Sequence, residues 1–267
     1  MTPDQWSGIG QRRNPSWYLD PLVASQKREE NLNLLRGWLP KCAPKRLLKT
    51  DLFEEAYGQD SLWTDLLGEA TVVIGMDVAL PTARNASKRC SAGSARFLTA
   101  DVRSLPLCSE SIDLIFSNST LDHFGSGEDF KKAVGELARV LRPGGRLIIT
   151  LDNPWNLLYY PLRWASLSRI IPFYLGFTTT SSGLARALTD ARLEVRDTAL
   201  LIHNPRGVST LLFLAIRRLA RSYSDGAIRL LLRAFSQLRR LPTRNLTACF
   251  ISACAEKPIV SSVRGNP

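Results

Sequence analysis

The clearest pattern of apolar and polar positions lies between residues 99 and 151. Two apolar runs, 112–117 and 146–151, predict strands, and residues 127–141 between them predict an amphipathic helix. The apolar positions of this helix recur at helical spacing: Phe130, Val134, Leu137, Ala138 and Leu141. A strand, a crossover helix and a strand build a parallel sheet, which binds ligands at the carboxyl ends of its strands. The pattern therefore predicts a parallel α/β sheet with a site near residues 118–124.

The segment after this helix should turn the chain sharply. Arg142, Pro143, Gly144 and Gly145 follow it, and proline cannot continue a helix whereas glycine permits a tight return. The same criteria predict the other elements in chain order: an N-terminal helix starting near residue 21, a first strand within 45–60, strands over 71–76 and 95–99 with a helix over 80–90 between them, a helix over 183–191, a sixth strand near 194–203, helices over 208–222 and 225–241, and a final strand over 246–258.

The order of motifs in this chain resembles the second half of the class I S-adenosylmethionine (SAM)-dependent methyltransferase domain. An Asp after a strand, a loop with Leu-Pro, the run SIDLIFS and the run ELARVLRPGGRLIIT follow one another at the family's spacing. The resemblance covers about residues 45–203 and the last strand. It implies an α/β, doubly wound, mostly parallel seven-stranded sheet with a final antiparallel strand, here with an N-terminal helix and helical insertions. It also implies S-adenosyl-L-methionine as cofactor.

The domain organisation follows from this resemblance. We expect an N-terminal helical cover over residues 1–44, a methyltransferase-like domain over 45–258 with insertions at 154–180 and 206–243, and a tail over 259–267. The cover helix could close the cofactor cleft or simply pack on the edge of the sheet. Trp17, Tyr18 and Asp20 precede it and are candidate ligand contacts, since aromatic side chains beside an acid often bind ligands at a cleft.

Residues 51–58 depart from the family's pattern. The family's D-x-G-x-G-x-G lets backbone amides approach the methionine end of SAM, but only one glycine remains here. In one interpretation the acids of this loop bind the ammonium group of SAM. In the other, Phe53, Glu54 and Glu55 close the site. We favour retained binding and predict Asp51, Glu55 and Gly58 as cofactor contacts.

Two further acids follow the second and third predicted strands. In nucleotide-binding α/β folds an acid at the position of Asp77 accepts hydrogen bonds from ribose hydroxyls, although a turn or helix-capping role is the simpler alternative. In the resembled family the acid at Asp101 accepts from the adenine amino group. Val78 and Val102 are the apolar neighbours that we assign to the same cofactor site. Together with Asp51, these acids fit an adenosyl ligand.

The fourth strand ends in a polar segment, in which we predict Asn118 and Ser119 as cofactor contacts. His123 follows, and it is either a general base, since its unperturbed pKa is about 6.5, or a structural residue. His203 follows the sixth strand, and topology places it at the same edge as His123, where it is either a base for the acceptor or part of a capped turn. We predict both histidines as catalytic. The tetrapeptide N/D-P-P-Y/F, which marks enzymes that methylate adenine or glutamine nitrogens, is missing after this strand.

Charge and composition limit the acceptors and partners. Lys and Arg (35) exceed Asp and Glu (24), which gives a net charge of +11 and favours an anionic partner, although solubility alone could account for it. Residues 154–180 are rich in Trp, Tyr, Phe and Arg, as expected of a lid for a large apolar acceptor. The basic helices within 208–241 predict peripheral membrane contact, packing on their own domain or a homodimer interface. We consider nucleic acid an unlikely partner.

The expected reaction is methyl transfer to a hydroxyl or amine of a small-molecule or lipid-like acceptor. The alternative is a non-methylating member of the same fold, a cyclase-like or scaffold protein with an altered SAM site. Five cysteines without C-x-x-C spacing indicate reduced thiols, a cytoplasmic location and no metal site. The N-terminus has no signal-peptide core, and no apolar run reaches 18 residues, so no transmembrane segment is expected.

Overall fold

The structure is a computed structural model that describes residues 20–90, 92–168, 170–171 and 174–259. The strands in these ranges are β1 (Arg46–Lys49), β2 (Val72–Asp77), β3 (Ala95–Thr99), β4 (Ile112–Asn118), β5 (Leu141–Asp152), β6 (Glu194–Leu201) and β7 (Phe250–Glu256). The α-helices are α1 (Pro21–Gly37), α2 (Phe53–Tyr57), α3 (Trp63–Glu69), α4 (Leu80–Arg89), α5 (Gly127–Val140), α6 (Tyr159–Leu167), α7 (Ser181–Asp190), α8 (Val208–Leu219), α9 (Ser224–Gln237) and α10 (Arg244–Thr247). Single 3₁₀ turns span Leu121–His123, Arg221–Tyr223 and Leu238–Arg240.

The strands form one sheet in the order β3-β2-β1-β4-β5-β7-β6. Neighbouring strands from β1 to β5 run parallel, and β7 lies antiparallel between β5 and β6. The predicted doubly wound, mostly parallel seven-stranded sheet with a final antiparallel strand is thereby confirmed. From β1 the chain adds β2 and β3 on one side, and it then crosses to add β4 and β5 on the other side. The sheet therefore has its topological switch point between β1 and β4, and open α/β sheets bind ligands at such points.

Apolar residues cover both faces of this sheet. On one face, Ile115 of β4 packs with Val134 of α5. On the other, Leu114 belongs to a cluster with Leu35 of α1 and Trp63 of α3. β4 is buried along almost its whole length because helices cover both of its faces, which explains its continuous apolar run in the sequence.

The turn between α5 and β5 depends on its glycines. α5 ends at Val140, one residue earlier than predicted, and β5 begins at once and includes the Pro-Gly-Gly segment. Gly144 has a φ of +75°, in the left-handed region that favours glycine. A Cβ on Gly145 would lie 2.9 Å from the carbonyl oxygen of Arg142. These two glycines set the register in which β5 pairs with β4.

The basic helices α8 and α9 pack onto α1 and onto each other. Phe213 of α8 and Ile228 and Leu232 of α9 are buried together, with Leu22 and Val23 of α1 against them. The apolar stripe of α9 is therefore covered by the chain's own helices. None of the helices in the described ranges is long and apolar enough to cross a membrane.

Asp20 is a structural residue at the start of α1. Its carboxylate accepts from the backbone amide of Leu22 at 2.9 Å and pairs with Nε of Arg217 at 2.7 Å. It therefore caps α1 and attaches α1 to α8, and it does not line a ligand site. Trp17 and Tyr18 lie outside the described residues.

Candidate active site

A cavity of about 220 Å³ lies at the carboxyl ends of β1 to β4, at the switch point of the sheet. The turns after these four strands and the first turn of α5 form its wall. The lining residues are Thr50, Asp51, Phe53, Met76, Asp77, Val78, Thr82, Ala100, Asp101, Val102, Arg103, Thr120, His123, Phe124, Gly125 and Asp129.

The structure brings part of the predicted site together at this cavity. The predicted residues that line it are Asp51, Asp77, Val78, Asp101, Val102 and His123. The predicted residues that lie outside its lining are Glu55, Gly58, Asn118, Ser119 and His203.

Asp77 connects the turns that follow β1 and β2. Its Oδ2 accepts from the amide of Leu52 at 3.3 Å, and its Oδ1 accepts from the amide of Ala79 at 2.8 Å. Asp51 lies on the same wall and accepts from the amide of Phe53 at 2.7 Å. Burial, and then the charge of Asp51, raise the pKa of Asp77 to about 7, although the two amides favour its ionised form. Asp77 is therefore only partly ionised at neutral pH. A ligand that donates hydrogen bonds to its carboxylate would stabilise the ionised form.

Asp101 is clamped by an arginine that the sequence analysis missed. Nε of Arg103 lies 3.0 Å from both carboxylate oxygens of Asp101, and its Nη1 lies 2.8 Å from Asp129. The guanidinium also lies over the ring of Phe124, 5.3 Å from its centroid. Burial favours a raised pKa for Asp101, but the hydrogen bonds and charge of Arg103 lower the pKa below its usual value. Asp101 is therefore ionised and can accept a hydrogen bond. Its partner Arg103 lies only two residues later in the sequence, and this short spacing is the signal by which it could have been predicted.

The acids of the first loop lie away from the cavity. The buried carboxylate of Glu55 pairs with Nζ of Lys49 at 2.8 Å. Glu54 and Asp60 each lie 2.8 Å from Nζ of Lys27 on α1. Burial raises the pKa of Glu54 to about 8 even though Lys27 opposes the shift. Glu55, which the sequence analysis predicts as a cofactor contact, therefore lies outside the cavity lining and pairs with Lys49, because a fully buried carboxylate needs a cation.

Gly58 has a local role at the end of α2. A Cβ there would lie 1.9 Å from Oε2 of Glu54, so glycine leaves room for the Glu54 carboxylate and not for a ligand. Among residues 53–55, only Phe53 lines the cavity. The acids therefore neither fill the cavity nor reach a ligand in it, and the first loop contributes Asp51 and Phe53 to the wall.

Hydroxyl groups line the cavity where β4 ends. The Oγ1 atoms of Thr50 and Thr120 lie 2.8 Å apart, and both residues belong to the wall. The two preceding residues, Asn118 and Ser119, do not line it. Ser119 has a left-handed φ of +51°, and its Oγ donates to Asp122 at 2.8 Å. This turn directs the Ser119 side chain to a buried acid and leaves Thr120 at the cavity.

His123 lines the cavity with a defined ring orientation. Its Nδ1 lies 3.2 Å from the carbonyl oxygen of Tyr174. Since a carbonyl only accepts hydrogen bonds, Nδ1 carries the proton in this contact, and Nε2 is the basic atom of the neutral ring. The ring is therefore suited to accept a proton through Nε2.

A buried group of charges supports the turn next to His123. Oδ2 of Asp122 accepts from the amide of Asp152 at 2.9 Å, and Asp152 forms an ion pair with Arg206. Burial, and then the charge of Asp152, raise the pKa of Asp122 to about 6. Arg206 also lies over the ring of Phe250, 4.8 Å from its centroid. This group joins the ends of β5 and β6 to the cavity wall.

His203, which the sequence analysis predicts as catalytic, does not line the cavity. It follows β6 at the expected edge of the sheet, but it is buried, and its Nδ1 lies 2.8 Å from Oγ1 of Thr247. Burial, and then the charges of Arg239 and Arg244, lower its pKa. Because β5 and β7 separate β4 from β6, the two strand ends lie about 14 Å apart at the usual spacing of strands. Both histidines follow strand ends at the same edge of the sheet, as the topology predicted. The sequence analysis did not give the distance between these two strand ends along the edge.

The chemistry of the wall fits S-adenosylmethionine. Asp51 offers a carboxylate for an ammonium group, and Asp77 offers an acceptor for the two ribose hydroxyls. Met76, Val78 and Val102 offer apolar surface for a purine ring. The ionised Asp101 offers an acceptor for an exocyclic amino group.

Comparisons with known proteins agree with this chemistry. Residues 56–149 match the family described as "Methyltransferase domain". The chain is 31% identical over 156 residues to demethylmenaquinone methyltransferase of Thermus thermophilus, which covers 56% of this chain and 66% of that protein. It is 29% identical over 161 residues to malonyl-[acyl-carrier protein] O-methyltransferase of Methylococcus capsulatus, which covers 60% of this chain and 49% of that protein. The chain thus spans about two thirds and about half of these curated relatives.

A solved structure extends the fold similarity to almost the whole chain. Geranyl diphosphate methyltransferase in complex with SAM superposes with a TM-score of 0.59, at 15% sequence identity, over 96% of each chain. At this identity the similarity concerns the fold alone. It includes the regions before residue 56 and after residue 149, which the family match leaves out.

Proposed function

Because this chain belongs to the class I SAM-dependent methyltransferase family, whose cofactor is S-adenosylmethionine, we propose that it methylates a hydroxyl or amine of a small-molecule or lipid-like acceptor. One observation carries the proposal. Asp51, Asp77 and Asp101 follow three successive strands and line a single cavity that also contains His123.

The cofactor site assigns one role to each acid. Asp51 binds the ammonium group of the methionine moiety, in place of part of the family's glycine loop. Asp77 accepts from the ribose hydroxyls, and Asp101, held by Arg103, accepts from the adenine amino group. Phe53 and Val102 pack against the bound molecule. This arrangement keeps the ribose and adenine contacts of the family and changes the methionine contact.

Bound SAM supplies an electrophilic methyl group on a sulfonium. The chain's own contribution is to hold the acceptor atom in line with that methyl group and to exclude water, which supplies much of the rate enhancement in such reactions. Nε2 of His123 takes the proton of a hydroxyl or ammonium acceptor. The carbonyl of Tyr174 keeps the imidazole in the tautomer that this step needs.

We name residues 174–177 the acceptor segment and place the acceptor beside it, since these residues adjoin the cavity wall without lining the cavity. Gly176 donates through its amide to the carbonyl of Asp122 at 3.0 Å, and Phe177 donates to that of Phe124 at 2.6 Å. This segment therefore borders the His123 wall, and its aromatic character favours an apolar or lipid-like acceptor. The Thermus relative is named for demethylmenaquinone and the Methylococcus relative for malonyl-acyl carrier protein. The reduced, quinol form of demethylmenaquinone has the hydroxyl groups that this proposal requires, whereas the malonyl group offers a carboxylate, so the two molecules distinguish between acceptor classes.

The cofactor proposal is tested by calorimetric titration of the protein with SAM and with S-adenosylhomocysteine. We expect micromolar binding that weakens at least tenfold in Asp77→Asn and Asp101→Asn, and that is unchanged in the control Asp190→Asn, an exposed acid at the end of α7. A folded wild-type protein that binds neither compound would overturn the proposal.

The acceptor proposal is tested by S-adenosylhomocysteine formation with reduced demethylmenaquinone or malonyl-acyl carrier protein as acceptor. Turnover with the quinol alone would favour a lipid-like hydroxyl acceptor, and turnover with the carrier protein alone would contradict it. Tight SAM binding without turnover on either would support the non-methylating alternative. A cytoplasmic location, and a cover formed by residues 1–44, remain predictions within this proposal.

A further inference from the structure

Exposed apolar side chains are concentrated in two segments of this protein. Residues 155–170 expose Trp155, Leu157, Tyr160, Trp164, Leu167 and Ile170. Residues 208–223 expose Val208, Leu211, Leu212, Leu214, Leu219 and Tyr223. Only five other large apolar side chains among the described residues are exposed. Contiguous patches of this kind mark interaction sites on soluble proteins.

α8 presents an apolar face outwards. On its inner side Phe213 is only 2% exposed and packs with α9. On its outer side Leu211 is 71% exposed and Leu219 is 81% exposed. A helix that merely covers a domain has polar residues on its outer face, so this helix has a second apolar face that the chain itself does not cover.

α6 has the same arrangement. On its inner side Tyr159 donates its hydroxyl hydrogen to the carbonyl of Gly176 at 3.3 Å, which attaches the helix to the acceptor segment. Its outer side carries the exposed Tyr160, Trp164 and Leu167. The two helices meet where α8 begins, since a Cβ on Gly207 would lie 3.1 Å from Leu162 of α6. We call the outer sides of α6 and α8 together the α6–α8 face.

The charge around this face has one sign. Between residues 198 and 255 the chain has nine arginines, no lysine and a single acid, Asp225. Residues 153–180, which include α6, contain no acid at all. Two of these arginines, Arg206 and Arg217, form ion pairs with acids. The exposed ones are Arg218, Arg229, Arg233, Arg239, Arg240 and Arg244. The segment that contains α8 and α9 therefore has a net positive surface.

We propose that the α6–α8 face docks on the surface of an anionic lipid bilayer. Tryptophan, tyrosine and leucine insert at the boundary between headgroups and acyl chains, and arginine attracts anionic headgroups. A second copy of this chain fits less well, because it would oppose one arginine-rich surface with another. Since the acceptor segment attaches to the inner side of α6, docking would bring the His123 side of the cavity close to the membrane.

The proposal does not depend on methyl transfer and is tested without SAM. The probe is a vesicle of phosphatidylglycerol and phosphatidylcholine, with pure phosphatidylcholine vesicles as comparison, and the measurement is co-sedimentation of the full chain at low salt. We expect binding to the anionic vesicles only, with a blue shift of tryptophan emission from Trp155 and Trp164.

Two variants decide whether the face itself binds. Leu211→Glu should lower vesicle binding at least tenfold. Ile259→Glu is the matched control, because Ile259 is equally exposed at 71% and lies next to Gly144, at the opposite end of β5 from the acceptor segment. Both changes are at exposed positions and should leave the melting temperature unchanged.

Equal vesicle binding by both variants, or no binding of the wild type to anionic vesicles, would overturn the proposal. So would a stable dimer at the low salt concentration of the vesicle test that Leu211→Glu dissociates, since a second copy would then cover the face under the conditions of docking. Loss of SAM binding in the calorimetric test would overturn only the proposed function, because vesicle binding is read out separately.

Discussion

Asp77 combines a binding role with a cost in stability. Its pKa is raised to about 7 in the folded protein, whereas an unfolded Asp titrates near about 4, so ionisation is disfavoured in the fold and stability falls as the pH rises between these values. Asp77→Asn removes this penalty. We expect the variant to be about 1 to 2 kcal/mol more stable than wild type at pH 8 and nearly equal at pH 4, as measured by chemical denaturation.

The same substitution should weaken cofactor binding. An amide accepts less strongly than a carboxylate, so affinity for SAM should fall by about tenfold to a hundredfold. In the wild type the affinity should increase as Asp77 ionises between pH 6 and 8, and in the variant it should stay flat over this range. Calorimetry at three pH values measures both trends. A variant that is less stable at pH 8, yet binds SAM normally, would contradict both predictions.

The two histidines offer a direct comparison of roles. His123→Gln should lower the rate of methyl transfer by about a hundredfold or more, since positioned bases contribute this much, and should leave SAM affinity unchanged. His203→Gln should leave the rate within about twofold, because His203 bonds to Thr247 outside the cavity. The measurement is the pH dependence of kcat for both variants. The limb of the profile that reports a base should disappear only in His123→Gln.

At this scale the sequence predicted those residues whose position follows directly from a strand end. Asp51, Asp77 and Asp101 line the cavity for that reason. Arg103 and Asp129 were missed, because their contribution depends on a contact across 26 residues between a turn and α5. Periodicity gives no information about such contacts.

At the scale of elements, Lys27 attaches α1 to the altered first loop. Its Nζ forms ion pairs with the carboxylates of Glu54 and Asp60, with an N–O distance of 2.8 Å in each. Lys27→Met would leave both acids without their cation, so we expect a loss of about 2 to 3 kcal/mol of stability at pH 8. Lys131→Met, at an exposed position of α5, is the control and should change stability by less than about 0.5 kcal/mol.

Chemical denaturation at pH 8 measures both variants. The effect of Lys27→Met should diminish as the pH falls from 8 to 5, because Glu54, whose pKa is raised to about 8, becomes protonated over this range and no longer needs a cation. A penalty that stays constant from pH 5 to pH 8 would indicate lost packing instead of lost charge pairing.

Most elements could be predicted because their signals are local. β3 agrees with its predicted range, α4 and α5 each end one residue earlier than predicted, and β2 is shifted by one residue at both ends. The first loop could not be predicted in this way. Its acids are satisfied by Lys27, 27 residues before Glu54, and by Lys49 on β1, and the sequence alone does not show which carboxylates these lysines meet.

At the scale of the whole molecule, the α6–α8 face has two opposite effects on self-association. Its exposed apolar side chains favour contact between two copies, and the positive charge of the arginines disfavours it. At low salt the arginines keep two copies apart, whereas at 1 M salt the screening length falls to about 3 Å and the apolar side chains can associate. We therefore expect self-association to increase between 0.05 and 1 M NaCl.

Sedimentation velocity at both salt concentrations tests this expectation, with Leu211→Glu as a variant that should stay monomeric throughout. Vesicle binding should change in the opposite direction and weaken with salt. A dimer that dissociates as salt is added would show that ion pairs, and not apolar contacts, join the copies.

The position of β7 between β5 and β6 also determines when the sheet can be completed during synthesis. Forty-eight residues separate the end of β6 from the start of β7. At about 5 to 20 residues per second a ribosome needs about 2 to 10 seconds to translate them. Throughout that interval β6 has no strand to pair with, and β5 has an open edge. The nascent chain therefore passes through a stage at which chaperones, or an anionic bilayer beside the ribosome, meet α8 before its own sheet is closed.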